Sequence, residues 1–515
     1  MNASYSKILA GLVCFITCAC QPKTQEIEED TVQATVEREQ HRSNFHFTPP
    51  HMWMNDPNGM VYYDGEYHLF YQHYPDSTVW GPMHWGHAIS TDLVTWEHLP
   101  IALYPDSLGY IFSGSAVVDW NNTSGFGAAD QPPMIAIYTY HQAEGSAAGR
   151  IDYQTQGIAY SLDKGRTWAK YDGNPVIPNP GLKDFRDPKV SWHEGSQQWV
   201  MIFAVGDHVR IYNSPDLKAW TLASSFGKDQ GSHGGVWECP DLFPLQIVGT
   251  NETKWIMIVS LGDGSPNGGS GTMYFIGDFD GETFKNSNPS DQVLWIDYGR
   301  DNYAGVTWSD IPEKDGRTLF LGWMSNWQYA QIVPTKSWRS AMTVPRSLSL
   351  KSTDQGLRVV SSPVSELEAL RGSKDWNALD LQTPASFENG TAEVSLEASL
   401  EDEASDFHLQ LSNALGEKLA IGYQSESNQF YVDRQASGKV DFSPEFSGIH
   451  YAPRLSEGKT ITIQLLIDAA SVELFADSGE TVMTEIFFPN EDFNQMELMV
   501  DKGQVAFSSS QMIDL

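Results

Sequence analysis

Five short apolar segments recur along the first two thirds of this chain, and their spacing constrains the fold more than any other feature. They are EYHLFYQH (66–73), PMIAIYTYH (133–141), QWVMIFAV (198–205), KWIMIVSL (254–261) and TLFLGWMS (318–325). They begin at intervals of 56 to 67 residues. Each has the length and the aliphatic and aromatic content of a buried strand. A second pattern follows three of them: STDLVTW (90–96), SLDKGRTW (161–168) and NSPDLKAW (213–220), an Asp turn leading into a Trp expected to be buried. DFDGETF (278–284) is a weaker copy that ends in Phe284. No long helical periodicity interrupts this stretch. Single strands of this kind would also suit a β-sandwich. The regular interval and the shared Asp-turn-Trp ending instead predict repeats of one supersecondary unit, and five repeats predict a five-bladed β-propeller over 45–350. The fold class is all-β. In a propeller the inner strand of each blade can aim a side chain into a central funnel, so carboxylates far apart in sequence can meet.

Three acidic residues stand in matched local settings near the beginnings of what read as successive repeats. Asp56 lies in HMWMNDPNGM (51–60), between the apolar Met52, Trp53 and Met54 and a run of alternating aromatic and polar residues. Asp187 lies in FRDPKV (185–190), beside Arg186. Glu238 lies in WECPDLF (237–243), next to Cys239. Each acid is followed by Pro, at once or after one residue. Pro disfavours helix before it and favours a turn, and Asp-Pro-Asn-Gly by itself reads as a turn. Cleavage of a glycosidic bond needs one carboxyl group as a proton donor and a second as nucleophile or base. The donor needs a raised pKa, which Trp237 and Phe243 could supply by apolar contact with Glu238. Arg186 would tend to keep Asp187 ionised. Cys239 could tune Glu238 or be a buried, inert thiol.

These three blocks, in this order, resemble the signature segments of glycoside hydrolase family 32, the fructan hydrolases and invertases, and the resemblance extends over about residues 45 to 515. It implies a five-bladed propeller followed by a β-sandwich, and retaining hydrolysis of β-fructofuranosides. It implies Asp56 as nucleophile, Glu238 as general acid/base and Asp187 as stabiliser of the transition state. By the same resemblance Asn55 would hold a fructose hydroxyl, Gln72 would contact substrate, and Arg186 would pair with sugar hydroxyls. Trp80 would form a wall of the fructose site, Phe112 and Ser113 would line it, and Trp323 is a further candidate for a wall. No cofactor is implied, and no spacing of His, Cys or carboxylates demands a metal.

The segments GWMSNWQYA and WRSAMTVPRSLSL look closest to exo-acting levanases and inulinases. Release of terminal fructose from levan, inulin or sucrose-type substrates is the leading expectation. The alternatives are an endo-levanase, a non-catalytic fructan-binding lipoprotein and a fructosyltransferase. The formal net charge of −34 argues against nucleic acid as a partner, because phosphates need Lys and Arg.

The remaining segments complete the plan. Residues 1–20 carry Lys7, an apolar run and then small residues before Cys20, a pattern of secretory type too short to span a membrane stably. Thr17-Cys18-Ala19-Cys20 resembles a bacterial lipoprotein signal, with Cys20 the lipidated residue and Cys18 the runner-up. The expected location is the cell envelope, through a lipid anchor, with simple secretion as the alternative. Residues 21–44 read as an acidic, flexible tether. Residues 351–379 read as a linker, with a short helix in SPVSELEALRG capped by Ser362 and ended by Gly372. From 380 to 515 eight alternating segments, from AEVSLEASL (392–400) to QMELMVD (495–501), predict a β-sandwich whose expected role is packing on the propeller, with sugar binding as the alternative. Its acids, such as Asp468 and Glu473, read as turn and surface residues.

Overall fold

A computed structural model describes residues 39–515, apart from positions 129, 382 and 403. The signal segment, Cys20 and most of the acidic tether lie outside the described residues.

Five antiparallel sheets follow one another, each led by a strand that touches the leading strands of its two neighbours. The leading strands are Met52–Tyr63, Tyr110–Val118, Phe185–His193, Trp237–Gln246 and Tyr303–Thr307. Contact of the fifth with the first closes the ring, so these five strands line the central channel of a five-bladed propeller. The chain also returns after the fifth blade to lay Trp338–Arg339 parallel to Met52 and Trp53.

The five look-alike segments are the second strands of the blades. Their unbroken apolar character has a simple cause. Successive side chains of a strand point to opposite faces, and here both faces meet another blade. Ile135 and Ile137 pack toward the third blade, whereas Ala136 and Tyr138 pack toward the first. Val200, Ile202 and Ala204 face the fourth blade, and Met201, Phe203 and Val205 face the second. The Asp turns join third and fourth strands. Asp92 Oδ1 accepts from the backbone N–H of Val94 and Thr95 at 2.9 and 2.7 Å. Asp216 and Asp280 do the same two and three residues on.

The propeller does not stop at 350. Gly356–Pro363 is the outer strand of the fifth blade, paired along its length with Arg346–Thr353. Pro363 therefore ends a strand rather than starting a helix. The short helix is a 3-10 helix, Ser365–Arg371, preceded by Val364 with no side-chain cap and ended by Gly372 at φ +56°. The tether is also shorter than its composition suggests. Gln40 donates to the carbonyl of Asn490 at 3.0 Å, His41 is buried, and the Asn44 N–H donates to Asp468 at 2.8 Å.

Two six-stranded antiparallel sheets form the second layer structure, sharing one apolar core. Strands such as Asp406–Ser412 alternate buried and half-buried positions, as expected of one covered face. Ser471–Ala476 and Thr481–Ile486 are buried at every position, because their outer face lies against the propeller. This overturns the surface reading of Asp468 and Glu473, which are both fully buried. His46 bridges them, with Nδ1 2.9 Å from Asp468 Oδ2 and Nε2 2.9 Å from Glu473 Oε1. Arg346 of the fifth blade also donates to Glu473, at 3.0 Å through Nε, and to Asp297 at 2.9 Å. The partners lie more than a hundred residues away in sequence, out of reach of any local reading.

Candidate active site

Each of the five leading strands breaks its pairing register at the same level of the channel. The shifts fall between Met54 and Pro57, Ile111 and Gly114, Arg186 and Lys189, Glu238 and Asp241, and Tyr303 and Val306. A bulge bends a strand and re-aims its side chains. Proline suits it, since a residue without an N–H costs nothing where the ladder is open. Pro188 and Pro240 sit in two of these gaps. The acid-Pro blocks are thus bulges inside strands, not turns, and the turn expected at Asp56 is corrected accordingly. The composition is shared because both structures need a residue released from the ladder. Asp187, Cys239 and Ala304 adopt φ of +65°, +43° and +52° at this level. Gly59 (φ +52°) passes so close to Phe70 and Trp85 that a Cβ would lie 2.6 and 2.7 Å from their rings.

The bulges bring one polar side chain from each blade to the channel: Asp56, Ser113, Asp187, Glu238 and Tyr303. Asp56 Oδ2 accepts from Ser113 Oγ at 2.6 Å and from Cys239 Sγ at 3.5 Å. Asp56 Oδ1 accepts from Asn55 Nδ2 at 2.9 Å. Asn55 is itself fixed by the Trp53 indole, which donates to its Oδ1 at 2.7 Å. Asn58 anchors the bulge, donating to the Asp56 carbonyl at 3.0 Å and accepting from the Gly114 N–H at 3.1 Å. Burial raises the Asp56 pKa, the Ser113 hydrogen bond opposes that rise, and the charge of Glu238 adds to it.

Glu238 Oε1 accepts from Arg186 Nη2 at 2.8 Å and Nε at 3.2 Å, and the Tyr303 hydroxyl donates to Oε2. The apolar surroundings expected for Glu238 are not its environment. Trp237 and Phe243 point away into two different inter-blade cores. Adjacent residues of a strand face opposite ways. Arg186 also donates to Asp184 at 2.7 Å. Asp187 accepts from the Cys239 N–H at 3.1 Å, and its own N–H donates to Thr139 Oγ1 at 3.0 Å. Arg186 does not keep Asp187 at an ordinary pKa. Burial raises it, Arg186 only partly offsets that, and Glu238 and Asp56 push further upward. Cys239 is buried beside all three carboxylates, which together with burial hold its thiol protonated. It touches Asp56 rather than Glu238.

The aromatic candidates divide. Trp80 is 37% exposed and meets Phe112 edge-on at 6.0 Å, and Phe112 stacks on His141 at 4.1 Å. These two form a rim. Gln72 is buried and donates to the Ile111 carbonyl at 3.1 Å, tying the first blade to the second. Trp323 is 0% exposed, so it is not a wall. It backs Trp53 at 6.1 Å and Trp327 at 4.9 Å, and half-buried Trp327, stacked on Trp53 at 5.9 Å, takes the outer place.

Below the acids, Lys189 Nζ lies 3.1 Å from Asp241 Oδ2 and donates to the Thr307 carbonyl at 2.5 Å. Asp241 Oδ2 also accepts from the Thr307 N–H and hydroxyl, each at 2.7 Å. This buried pair bridges the third, fourth and fifth blades beneath the acids. Tyr303, Asn58 and the Lys189–Asp241 pair escaped the sequence reading. Tyr303 carried one usable signal: it opens the fifth repeat where the acids open others. The acids occupy the first, third and fourth blades, not successive ones, and Ser113 fills the second.

Three carboxylates converging on a propeller channel, with an arginine and a tyrosine on one and a serine on another, define a glycosidase-type site. The comparisons agree. The glycosyl hydrolases family 32 N-terminal domain matches residues 46–363, and the family 32 C-terminal domain matches residues 366–514. The chain belongs to glycoside hydrolase family 32. It is 52% identical over 496 residues to a levanase of Bacillus subtilis, covering 94% of this chain and 72% of that protein. It is 40% identical over 503 residues to an extracellular exo-inulinase of Aspergillus niger, covering 90% of this chain and 92% of that one. The solved exo-inulinase of Aspergillus awamori superposes with a TM-score of 0.84 at 36% identity, covering 93% of this chain and 98% of that chain. A fructofuranosidase variant of Schwanniomyces occidentalis, complexed with fructosylnystose, follows at 0.83 and 32%, covering 92% and 98%.

Proposed function

We propose that this enzyme is an exo-acting fructan β-fructosidase that removes terminal fructose from levan, inulin and related β-fructofuranosides, with retention of configuration. The observation that carries this reading is the set of hydrogen bonds on the acids. Asp56, on the first blade, is held by Ser113 and Asn55, and Glu238, on the fourth, is held by Arg186 and Tyr303 across the channel. Asp56 attacks the anomeric carbon of fructose as Glu238 protonates the departing oxygen. Glu238, now a base, activates water, which releases fructose from the covalent intermediate. Asp187 and Arg186 bind fructose hydroxyls, and Asn55 and Gln72 complete the hydroxyl contacts. The exo-inulinase relatives favour exo action over the endo alternative. The levanase and exo-inulinase relatives point to the same substrates.

Product analysis on levan, inulin and sucrose tests the reading. Levan and inulin are expected to release fructose with no fructo-oligosaccharides, and sucrose to release fructose and glucose in equal amounts, the fructose appearing first as the β-anomer by NMR. A ladder of oligomers would establish the endo alternative, and transfer products at high sucrose the fructosyltransferase.

We further propose export with a lipid anchor at Cys20, on the sequence pattern alone. The extracellular relatives support export but not the anchor. Mass spectrometry of the mature N-terminus is expected to find a diacylglyceryl-modified Cys20. An unmodified N-terminus would leave simple secretion.

A further inference from the structure

The leading strands carry more than the catalytic level. Val117, Ser191, Phe243 and Thr307 stand four or five residues beyond Ser113, Asp187, Glu238 and Tyr303 on the same strands. At the rise of a strand that is at most about 13–17 Å further along the channel, because the bulges lie within these stretches and shorten them. Around this far mouth lies a cavity of about 640 Å³, beyond the Lys189–Asp241 pair. Its size is that of a small-molecule site, and nothing in the catalytic cycle uses it.

The lining has a definite chemistry. Trp120 is 57% exposed, yet its ring is held in place: Nε1 donates to Asp310 Oδ1 at 2.8 Å, and Tyr63 meets it edge-on at 5.6 Å. Asp310 itself is fixed, accepting from the Val118 N–H at 2.9 Å while it adopts φ +60°. A large ring fixed in solvent offers a platform without the entropy cost of ordering it on binding. Trp192 and Trp255 also line the cavity, half-buried, and neither indole N–H has a hydrogen-bond acceptor among the described residues. Glu194 and Ser191 add hydroxyl-binding groups. Flat apolar rings, free N–H donors and carboxylate acceptors around one cavity suit a neutral polyhydroxylated ligand, whose C–H faces stack while its hydroxyls bond. A chain of net charge −34 would repel an anionic one.

We propose that the far mouth of the propeller is a second, non-catalytic saccharide site that holds the fructan polymer between turnovers. The inference rests on fructan as the substrate, and its test reads binding separately from cleavage. Full-length protein carrying Asp56→Asn, which leaves bound polymer uncut, is run through native gels containing levan, inulin or dextran. Adding Trp120→Ala is expected to weaken retardation by levan or inulin at least fivefold, whereas Trp120→Phe keeps most of it. With the catalytic Asp56 left intact, Trp120→Ala alone should hydrolyse sucrose within twofold of wild type with an unchanged Tm. Equal retardation with and without Trp120→Ala would overturn the proposal, and so would dextran retarding the parent as strongly as fructan. A loss of sucrose hydrolysis matching the loss of retardation would overturn it too. Failure of the wild type to release fructose from any fructan would strike the catalytic reading instead.

Discussion

Ser113→Ala isolates how the nucleophile is kept ionised. Asp56 is pulled two ways: burial and the nearby Glu238 raise its pKa, while the hydroxyl of Ser113 and the amide of Asn55 favour its charged form. The Ser113 bond is short, at 2.6 Å, and its donor is buried, so water cannot replace it readily. Without it, Oδ2 keeps only the weak Cys239 thiol at 3.5 Å. A hydrogen bond to a charged group contributes about 1.5–3 kcal/mol, and one pKa unit corresponds to about 1.4 kcal/mol. Removing a donor to the carboxylate favours its protonated form. The acid limb of the kcat/KM profile on sucrose should therefore move to higher pH by about 1–2 units. Below the limb the variant falls by roughly 10- to 100-fold, and activity partly recovers as pH rises. The assay is initial fructose release from pH 3 to 8, beside a thermal melt that checks folding. An acid limb that stays in place, with activity lowered equally at every pH, would refute the reasoning and make Ser113 a substrate contact only.

Other perturbations test other levels of the structure. Burial alone would lower the pKa of His46, but Asp468 and Glu473 outweigh it and hold it at about 9, above its ordinary 6.5. The stability this contributes is fully present below pH 6.5 and is lost as pH rises through 9. Tm should decline across that window. His46→Leu should flatten the decline and cost about 3–5 kcal/mol, by leaving buried carboxylates without their partner. A parallel Tm profile in the variant would contradict this. Tyr303→Phe removes a donor from Glu238 and should reduce kcat by roughly 10- to 100-fold with a small change in KM, measured on sucrose. Trp323→Phe should lower Tm through lost packing, by about 1–3 kcal/mol, while KM stays within threefold. A large KM change at unaltered Tm would restore Trp323 as a wall of the site.

The sequence by itself determined the repeat. Five apolar runs at near-regular intervals require five similar units, and because each run is buried on both faces its signal is unbroken and easy to read. Three acids in matched settings, and their likeness to a known family, then named the chemistry. Only the tertiary structure decided how those acids are presented. Asp-Pro-Asn-Gly has the composition of a turn and of a bulge alike, and the choice depends on pairing with a strand ten residues on and on Ser113 from the next blade. Glu238 could not be assigned its surroundings from Trp237 and Phe243, because strand neighbours face away from one another. Its partners, Arg186 and Tyr303, come from other blades. Asp468 and Glu473 look like surface acids in sequence for the same reason. Burial of a charge depends on a partner, and theirs, His46 and Arg346, arrive only when the two β-structures close on each other.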